Sequence, residues 1–250
     1  MFIDTHCHLT DDFPGGPDGV IARANDAGIT KIICATADPN AIPRAIEIAM
    51  GHDNMFCTIG IHPEYVPIDP DKYLTNDILQ HPRVVGIGEI GLDYHNGDDN
   101  RNAQIDLFER QLTIARRVKL PVAIHSRDAE TDTATLLHDV RGVMHCYTSG
   151  WDLAMKMLDR GFFFSASGIL TFKNADDVRE TFRRIPIDRI VIETDAPWCA
   201  PVPFRGRQCE PAMMIETARV LANIKNIDID DLARQLEQNT KNLYPKISDC

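Results

Sequence analysis

The stretch VVGIGEIGLDYHNGDDNRNAQIDLFERQLTIARRVKLPVAIH, residues 84–125, reads as strand, helix and strand in succession. Val84–Leu92 is a short apolar run rich in Val and Ile, the composition of a strand buried on both faces. Ile105, Phe108, Leu112 and Ala115 follow at steps of three and four, which puts them on one face of a helix. Pro121–His125 then opens the next apolar run, so the unit is a strand joined through a helix to a second, parallel strand.

The same alternation extends in both directions. Apolar runs occur at Phe2–Leu9, Lys31–Ala37, Met55–His62, Val84–Leu92, Pro121–His125, Gly142–Tyr147, Gly161–Ser167 and Arg189–Asp195, eight in all, each followed by a segment of helical spacing. Helix starts agree: Asp38-Pro39 pairs an N-cap with Pro at the first helical position, and Asp128 can cap the helix after His125. Eight units in 250 residues average about 31 residues each, the size of a strand, a helix and two connections. The expectation is a single-domain α/β protein over residues 1–250, a closed (β/α)8 TIM barrel. No linker interrupts it, and the Pro-rich segment Pro197–Pro211 falls after the eighth run, where barrels keep functional loops.

With 44% hydrophobic and 25% charged residues, the composition supports a full core and excludes disorder. A net charge of -11, from 26 Lys and Arg against 37 Asp and Glu, opposes coating of nucleic acid or membrane by bulk charge, so a polyanion must be met locally. The start Met1-Phe2-Ile3-Asp4 has no signal-like pattern and no run of 18 apolar residues occurs, so a cytoplasmic location without membrane association is expected. The seven cysteines (7, 34, 57, 146, 199, 209 and 250) form no C-x-x-C pair and read as reduced and largely buried.

Ionisable residues interrupt the runs at their C-terminal ends: His6 and His8, His62, Glu89 with Asp93 beyond, His125, His145 and Asp195. In a barrel those ends converge on one mouth. His6 and His8 are two apart in a strand and project to one face, with Cys7 opposite, so the pair can chelate one ion. Polar insertions in apolar runs are costly without a purpose, and six of them at equivalent positions read as a metal centre. Nitrogen and carboxylate donors without a nearby thiolate suit Zn²⁺, Mn²⁺, Fe²⁺ or Mg²⁺. Six candidates exceed one open tetrahedral site, whereas two divalent ions bridged by a carboxylate use them economically and activate a water for hydrolysis. His62 is a candidate substrate contact, and Asp93 a candidate partner for a metal-binding histidine. Arg127, Arg205, Arg207 and Lys173 are the cations expected near the mouth, with Arg127 placed to bind phosphate. His52, His81, His95 and His138 read as solvated loop or helix-end residues.

Seven or more collinear blocks carry a resemblance over essentially the whole chain: IDTHCHL (3–9), GIHP (60–63), GEIGLDY (88–94), PVAIHSRDA (121–129), HCY (145–147), SASGILTFKNA (165–175), ETDAPW (193–198) and PVPFRG (201–206). They resemble the TatD family of metal-dependent deoxyribonucleases within the amidohydrolase-like metal hydrolases. The resemblance implies a first metal held by His6, His8, Glu89 and Asp195 and a second held by Glu89, His125 and His145. It also implies phosphodiester cleavage in DNA, in some members as a 3′–5′ exonuclease preferring single strands. The chain departs from the family at Tyr147-Thr148-Ser149-Gly150, where members often read Phe-Ser-Gly-Ser, and at Cys209, where they often carry Asn.

The leading expectation is therefore a deoxyribonuclease using two divalent ions (Mg²⁺, Zn²⁺ or Mn²⁺), with Asp195 and Glu89 as catalytic residues and His62, Arg127, Arg205 and Lys173 as substrate contacts. Single-stranded DNA ends are the expected substrate, with no membrane and no obligate protein partner. Two alternatives stay open: an amide or ester hydrolase, such as an aminoacyl-tRNA or N-acyl deacylase, since the same centre polarises carbonyls, and a binding protein that keeps its metals for stability.

Overall fold

The computed structural model describes residues 1–97 and 99–249. Its strands are β1 (Phe2–Cys7), β2 (Ile29–Ala35), β3 (Met55–Thr58), β4 (Val84–Asp93), β5 (Val122–Arg127), β6 (Gly142–Met144), β7 (Phe163–Ala166) and β8 (Ile190–Ile192). The helices are α1 (Gly16–Asp26), α2 (Ile42–Gly51), α3 (Asn76–Leu79), α4 (Arg101–Val118), α5 (Glu130–Leu136), α6 (Trp151–Asp159), α7 (Asp176–Arg184), α8 (Met214–Lys225) and α9 (Ile229–Leu243). The eight strands pair in sequence order, every neighbouring pair parallel. This is the expected TIM barrel.

The seam between β8 and β1 is closed beyond the strand ladder. Thr5 Oγ1 donates to the Ile192 carbonyl at 2.9 Å, Asp195 N–H to His6 O at 2.9 Å, and His8 N–H to Ala196 O at 2.6 Å. The buried Asp4 carboxyl accepts from Thr194 N–H at 3.0 Å and Thr194 Oγ1 at 2.6 Å. The seam thus runs through two of the chain's polar blocks and holds them side by side.

Inside the barrel, Ile33, Phe56, Val85, Ala123, Val143, Phe163 and Val191 pack with Leu243, Tyr244 and Ile247, which close the end opposite the strand C-termini. A second, larger core lies between the strands and the helices. Side chains two residues further along a strand return to the same face. His125 therefore stands above Ala123, His145 above Val143 and Glu193 above Val191, which lifts polar groups from the apolar interior toward the mouth. Gly91 makes room for this: a Cβ there would come 1.9 Å from the His125 carbonyl oxygen.

Three strands end three or more residues earlier than the apolar runs predict. β3 stops at Thr58, β6 at Met144 and β8 at Ile192, because the chain turns away to present its polar side chains. Cys146 and Asp195 adopt φ of 42° and 57°, outside extended geometry. Ile61 finds its backbone partners in a side chain: Gln111 accepts from its N–H and donates to its carbonyl, both at 2.9 Å. Asp38 caps a short 3-10 turn ahead of α2, accepting from Asn40 N–H at 2.8 Å. Asp128 does not cap α5, whose N-cap is Ala129; its carboxylate instead meets His95 Nδ1 at 2.9 Å.

Candidate metal centre

Glu89, on β4, lies at the centre of the mouth and is 5% exposed. Its Oε2 faces the β1 histidines, 3.6 Å from His6 Nε2 and 3.4 Å from His8 Nε2. Asp195 Oδ1 completes this group at 4.0 Å and 3.7 Å from the same two nitrogens, which are 3.1 Å apart. The other oxygen, Glu89 Oε1, sits 2.8 Å from both His125 Nδ1 and His145 Nε2, themselves 3.5 Å apart. All six sequence candidates are brought together, in two groups that share one carboxylate.

These residues fit divalent cations on two grounds. Donors bound tetrahedrally at 2.0–2.2 Å lie about 3.4 Å from one another, and the first group spans that spacing. The charge balance also calls for positive charge. Burial favours neutral Glu89, but the charge on His145 and hydrogen bonds from His125, His145 and His6 hold its carboxyl well below the usual range. Burial opposes a charged His8 as well, yet Asp195 and Glu89 push it up to about 9. Carboxylates that draw protons onto buried imidazoles offer the same field to a metal ion.

The outward nitrogens have partners of their own. His125 Nε2 lies 3.0 Å from Asp93 Oδ2, the position foreseen for that aspartate. His145 Nδ1 lies 3.2 Å from Glu193 Oε1, which also accepts from Cys146 N–H at 2.7 Å. Such carboxylates fix the tautomer and aim of a ligating ring. Glu193 and Asp4 carry no role in the sequence reading; the signal for Glu193 is its place two residues before Asp195, the spacing that also relates His6 to His8.

Above the centre is a cavity of about 650 Å³ whose lining includes His62, Arg127, Thr148 and Trp198. Burial lowers the His62 pKa to about 4. Its Nδ1 accepts from Glu64 N–H at 3.2 Å, so the neutral ring carries its proton on Nε2, facing the cavity. Arg127 is exposed at the rim, and the neighbouring carboxylates are engaged with histidines: Asp128 with His95, Glu89 and Asp93 with His125. Arg205 and Lys173 are exposed and stand outside the lining; the Arg205 guanidinium lies 3.7 Å over the Phe172 ring. Arg207 sits over Phe204 and is exposed.

One expectation about cysteine is corrected. Cys146 and Cys199 are not buried but line the cavity, so the centre does have thiols nearby. Cys7, Cys34, Cys57 and Cys209 are buried and unbonded as expected, and Cys250 lies outside the described residues. At the two departures from the family pattern, Tyr147 and Cys209 serve packing, while Thr148 lines the cavity. Tyr147 is 4% exposed with its hydroxyl donating to Gly150 O at 2.7 Å, and Cys209 is fully buried under Thr194.

A parallel barrel with these donors converging on the C-terminal ends of its strands defines the class of metal-dependent hydrolases. Comparison with known proteins narrows it. The family described as TatD related DNase matches residues 3–245. The chain is 34% identical to the uncharacterized metal-dependent hydrolase YabD of Bacillus subtilis, over 98% of this chain and 99% of that protein. It is 33% identical to YcfH of Escherichia coli, also an uncharacterized metal-dependent hydrolase, over 98% and 96%. The crystal structure of YjjV, a TatD homolog from Escherichia coli, superposes with a TM-score of 0.87 at 29% identity, covering 98% of each chain. The chain belongs to the TatD family. Among the described residues no helix is long and apolar enough to cross a membrane.

Proposed function

We propose that residues 1–250 form one deoxyribonuclease domain that trims single-stranded DNA from the 3′ end. The observation that carries this reading is Glu89, whose two oxygens face two separate donor groups, His6, His8 and Asp195 on one side and His125 and His145 on the other. Two divalent cations held there, Mg²⁺, Zn²⁺ or Mn²⁺, would lower the pKa of a water and offset charge on the attacking and leaving oxygens. Asp195 orients that water and takes its proton. The water oxygen bonds to phosphorus, the bond from phosphorus to the 3′ oxygen breaks, and that oxygen is protonated from solvent. Arg127 holds a non-bridging phosphate oxygen at the rim, and neutral His62 donates from Nε2 to another. Trp198, 57% exposed beside the cavity with its ring 5.0 Å from His8, gives a terminal base a surface to stack on.

The test is the metal-loaded protein on end-labelled single-stranded DNA, duplex DNA, RNA and acyl substrates in parallel. Stepwise 3′ shortening of single-stranded DNA is expected, and faster turnover of an amide or ester would overturn the reading in favour of a deacylase. Asp195→Asn keeps a carbonyl oxygen but accepts no proton, so kcat should fall by ~10²–10⁴, the usual worth of a general base. Full recovery of Asp195→Asn with excess metal would remove the proton-accepting role.

A further inference from the structure

The wall of the cavity beside Asp195 carries a cluster that the two donor groups do not use. Cys146, which follows β6, and Cys199, in the loop after β8, bring their Sγ atoms to 4.0 Å across the mouth. Cys199 Sγ is 3.5 Å from Asp195 Oδ2, the oxygen turned away from His6 and His8. The two sulfurs and the carboxylate lie within 4.8 Å of one another, and all three residues border the open cavity. Ser167 Oγ adds a further oxygen 3.1 Å from Cys146 Sγ.

The geometry points to a third cation position in this barrel, held by Cys146, Cys199 and Asp195 Oδ2, selective for a thiophilic divalent ion such as Zn²⁺, Co²⁺ or Cd²⁺. Tetrahedral bonds of about 2.3 Å to sulfur and 2.1 Å to oxygen place two sulfurs about 3.8 Å apart and a sulfur about 3.6 Å from the oxygen. The observed 4.0 Å and 3.5 Å need almost no movement. A disulfide would need the sulfurs to close to about 2.05 Å. A Cβ at Gly168 would come 1.9 Å from the Cys199 carbonyl oxygen, so the loop that carries Cys199 lies directly against the loop after β7. Binding releases two thiol protons to solvent as the thiolates coordinate. Mg²⁺, which prefers oxygen, would leave this position open. Asp195 is common to this position and the centre described above, so a thiophilic ion here competes for its second oxygen.

Metal-free, reduced protein titrated with Co²⁺ without oxygen tests the assignment. A near-ultraviolet sulfur-to-cobalt charge-transfer band should saturate at one thiolate-bound ion per chain, alongside the visible bands of cobalt on nitrogen and oxygen. Cys199→Ser and Cys146→Ser should each lower the near-ultraviolet band at least tenfold with the visible bands kept. Should either variant fail to fold, the wild type gives the same answer by alkylation: Zn²⁺, and not Mg²⁺, should slow iodoacetamide labelling of Cys146 and Cys199 at least tenfold by peptide mass spectrometry. A missing near-ultraviolet band, unchanged labelling, or a Cys146–Cys199 disulfide in protein isolated with its thiols blocked would overturn the assignment. Failure of the dinuclear reading looks different: the near-ultraviolet band remains, and no cobalt binds beyond the one thiolate-held ion.

Discussion

Glu193 is fully buried, and its two carboxyl oxygens have different surroundings. Oε1 meets His145 Nδ1 and Cys146 N–H, while Oε2 has no hydrogen-bond partner. Holding an unpartnered oxygen in the interior costs stability, and what it secures is the aim of His145 Nε2 at Glu89. Glu193→Gln keeps an accepting oxygen and removes the charge, so metal affinity at the His125–His145 side should fall 10–100-fold, the usual effect of such a change. Calorimetric titration checks it, and an unaltered affinity would reduce Glu193 to a packing role. His62 gives a prediction in pH. Its folded pKa of about 4 lies below the ordinary 6.5, so as pH falls from 6.5 toward 4 the unfolded chain takes up a proton that the folded chain refuses. Stability is intact above pH 6.5 and declines below it, by about 2 kcal/mol between pH 7 and pH 5 from this group. Urea midpoints at the two pH values should show a correspondingly smaller loss in His62→Gln; an equal loss would refute the account. The residues that interrupt apolar runs were legible in the sequence because polar groups are rare there. Their partners were not, because pairing such as Glu193 with His145 depends on which strands are adjacent.

At the scale of elements, α4 does more than cover the barrel. Ile105, Phe108, Leu112 and Ala115 pack inward as their spacing implies, but the same face also carries Gln104 and Gln111, both buried. Gln111 holds both backbone groups of Ile61, next to His62, and Gln104 does the same for Asp93, accepting from its N–H and donating to its carbonyl at 2.8 Å each. One helix thus sets the loop after β3 and the end of β4 through two amides seven residues apart. Gln111→Ala leaves two buried backbone groups unpaired and should cost about 2 kcal/mol or more in unfolding free energy. It should also raise KM for DNA, through the displaced His62, with bound metal unchanged; a normal KM in a destabilised variant would separate the helix from the site. Hydrophobic spacing revealed the helix and its orientation, because apolar periodicity is a local property. It missed the clamps, since a glutamine in an apolar face looks the same whether it binds a distant loop or a water. The strand ends were misplaced for a related reason: apolar content continues through Tyr147 and Asp195, while the hydrogen-bond ladder stops at Met144 and Ile192.

The whole molecule carries a net charge of -11, and the proposed substrate is a polyanion. On the proposed reading, Arg127 at the rim and cations held at the centre would do most of the phosphate binding. With two or three contacts at ~0.7 each, log K for single-stranded DNA should fall with log salt at a slope near -2. A slope steeper than about -5 would mean a wider cationic surface than two or three contacts provide. Rapid cutting of closed circular single strands would contradict entry by an end. The number of units, their parallel order and the closed barrel they imply were legible because each unit repeats the same local pattern, whereas the bonds of Asp4 and Thr5 to Thr194 and Ile192 join opposite ends of the chain and leave no local trace. The barrel floor has a consequence for synthesis. Leu243, Tyr244 and Ile247 pack in the interior against residues of seven strands, β2 to β8, and Tyr244 is wholly enclosed. A ribosome delivers these residues only after every strand has been made, so the nascent barrel waits with an unfilled bottom. The same order of delivery governs the mouth: until β8 and the turn after it have been made, His6 and His8 have no Asp195 beside them, so the donor group they share with it cannot form.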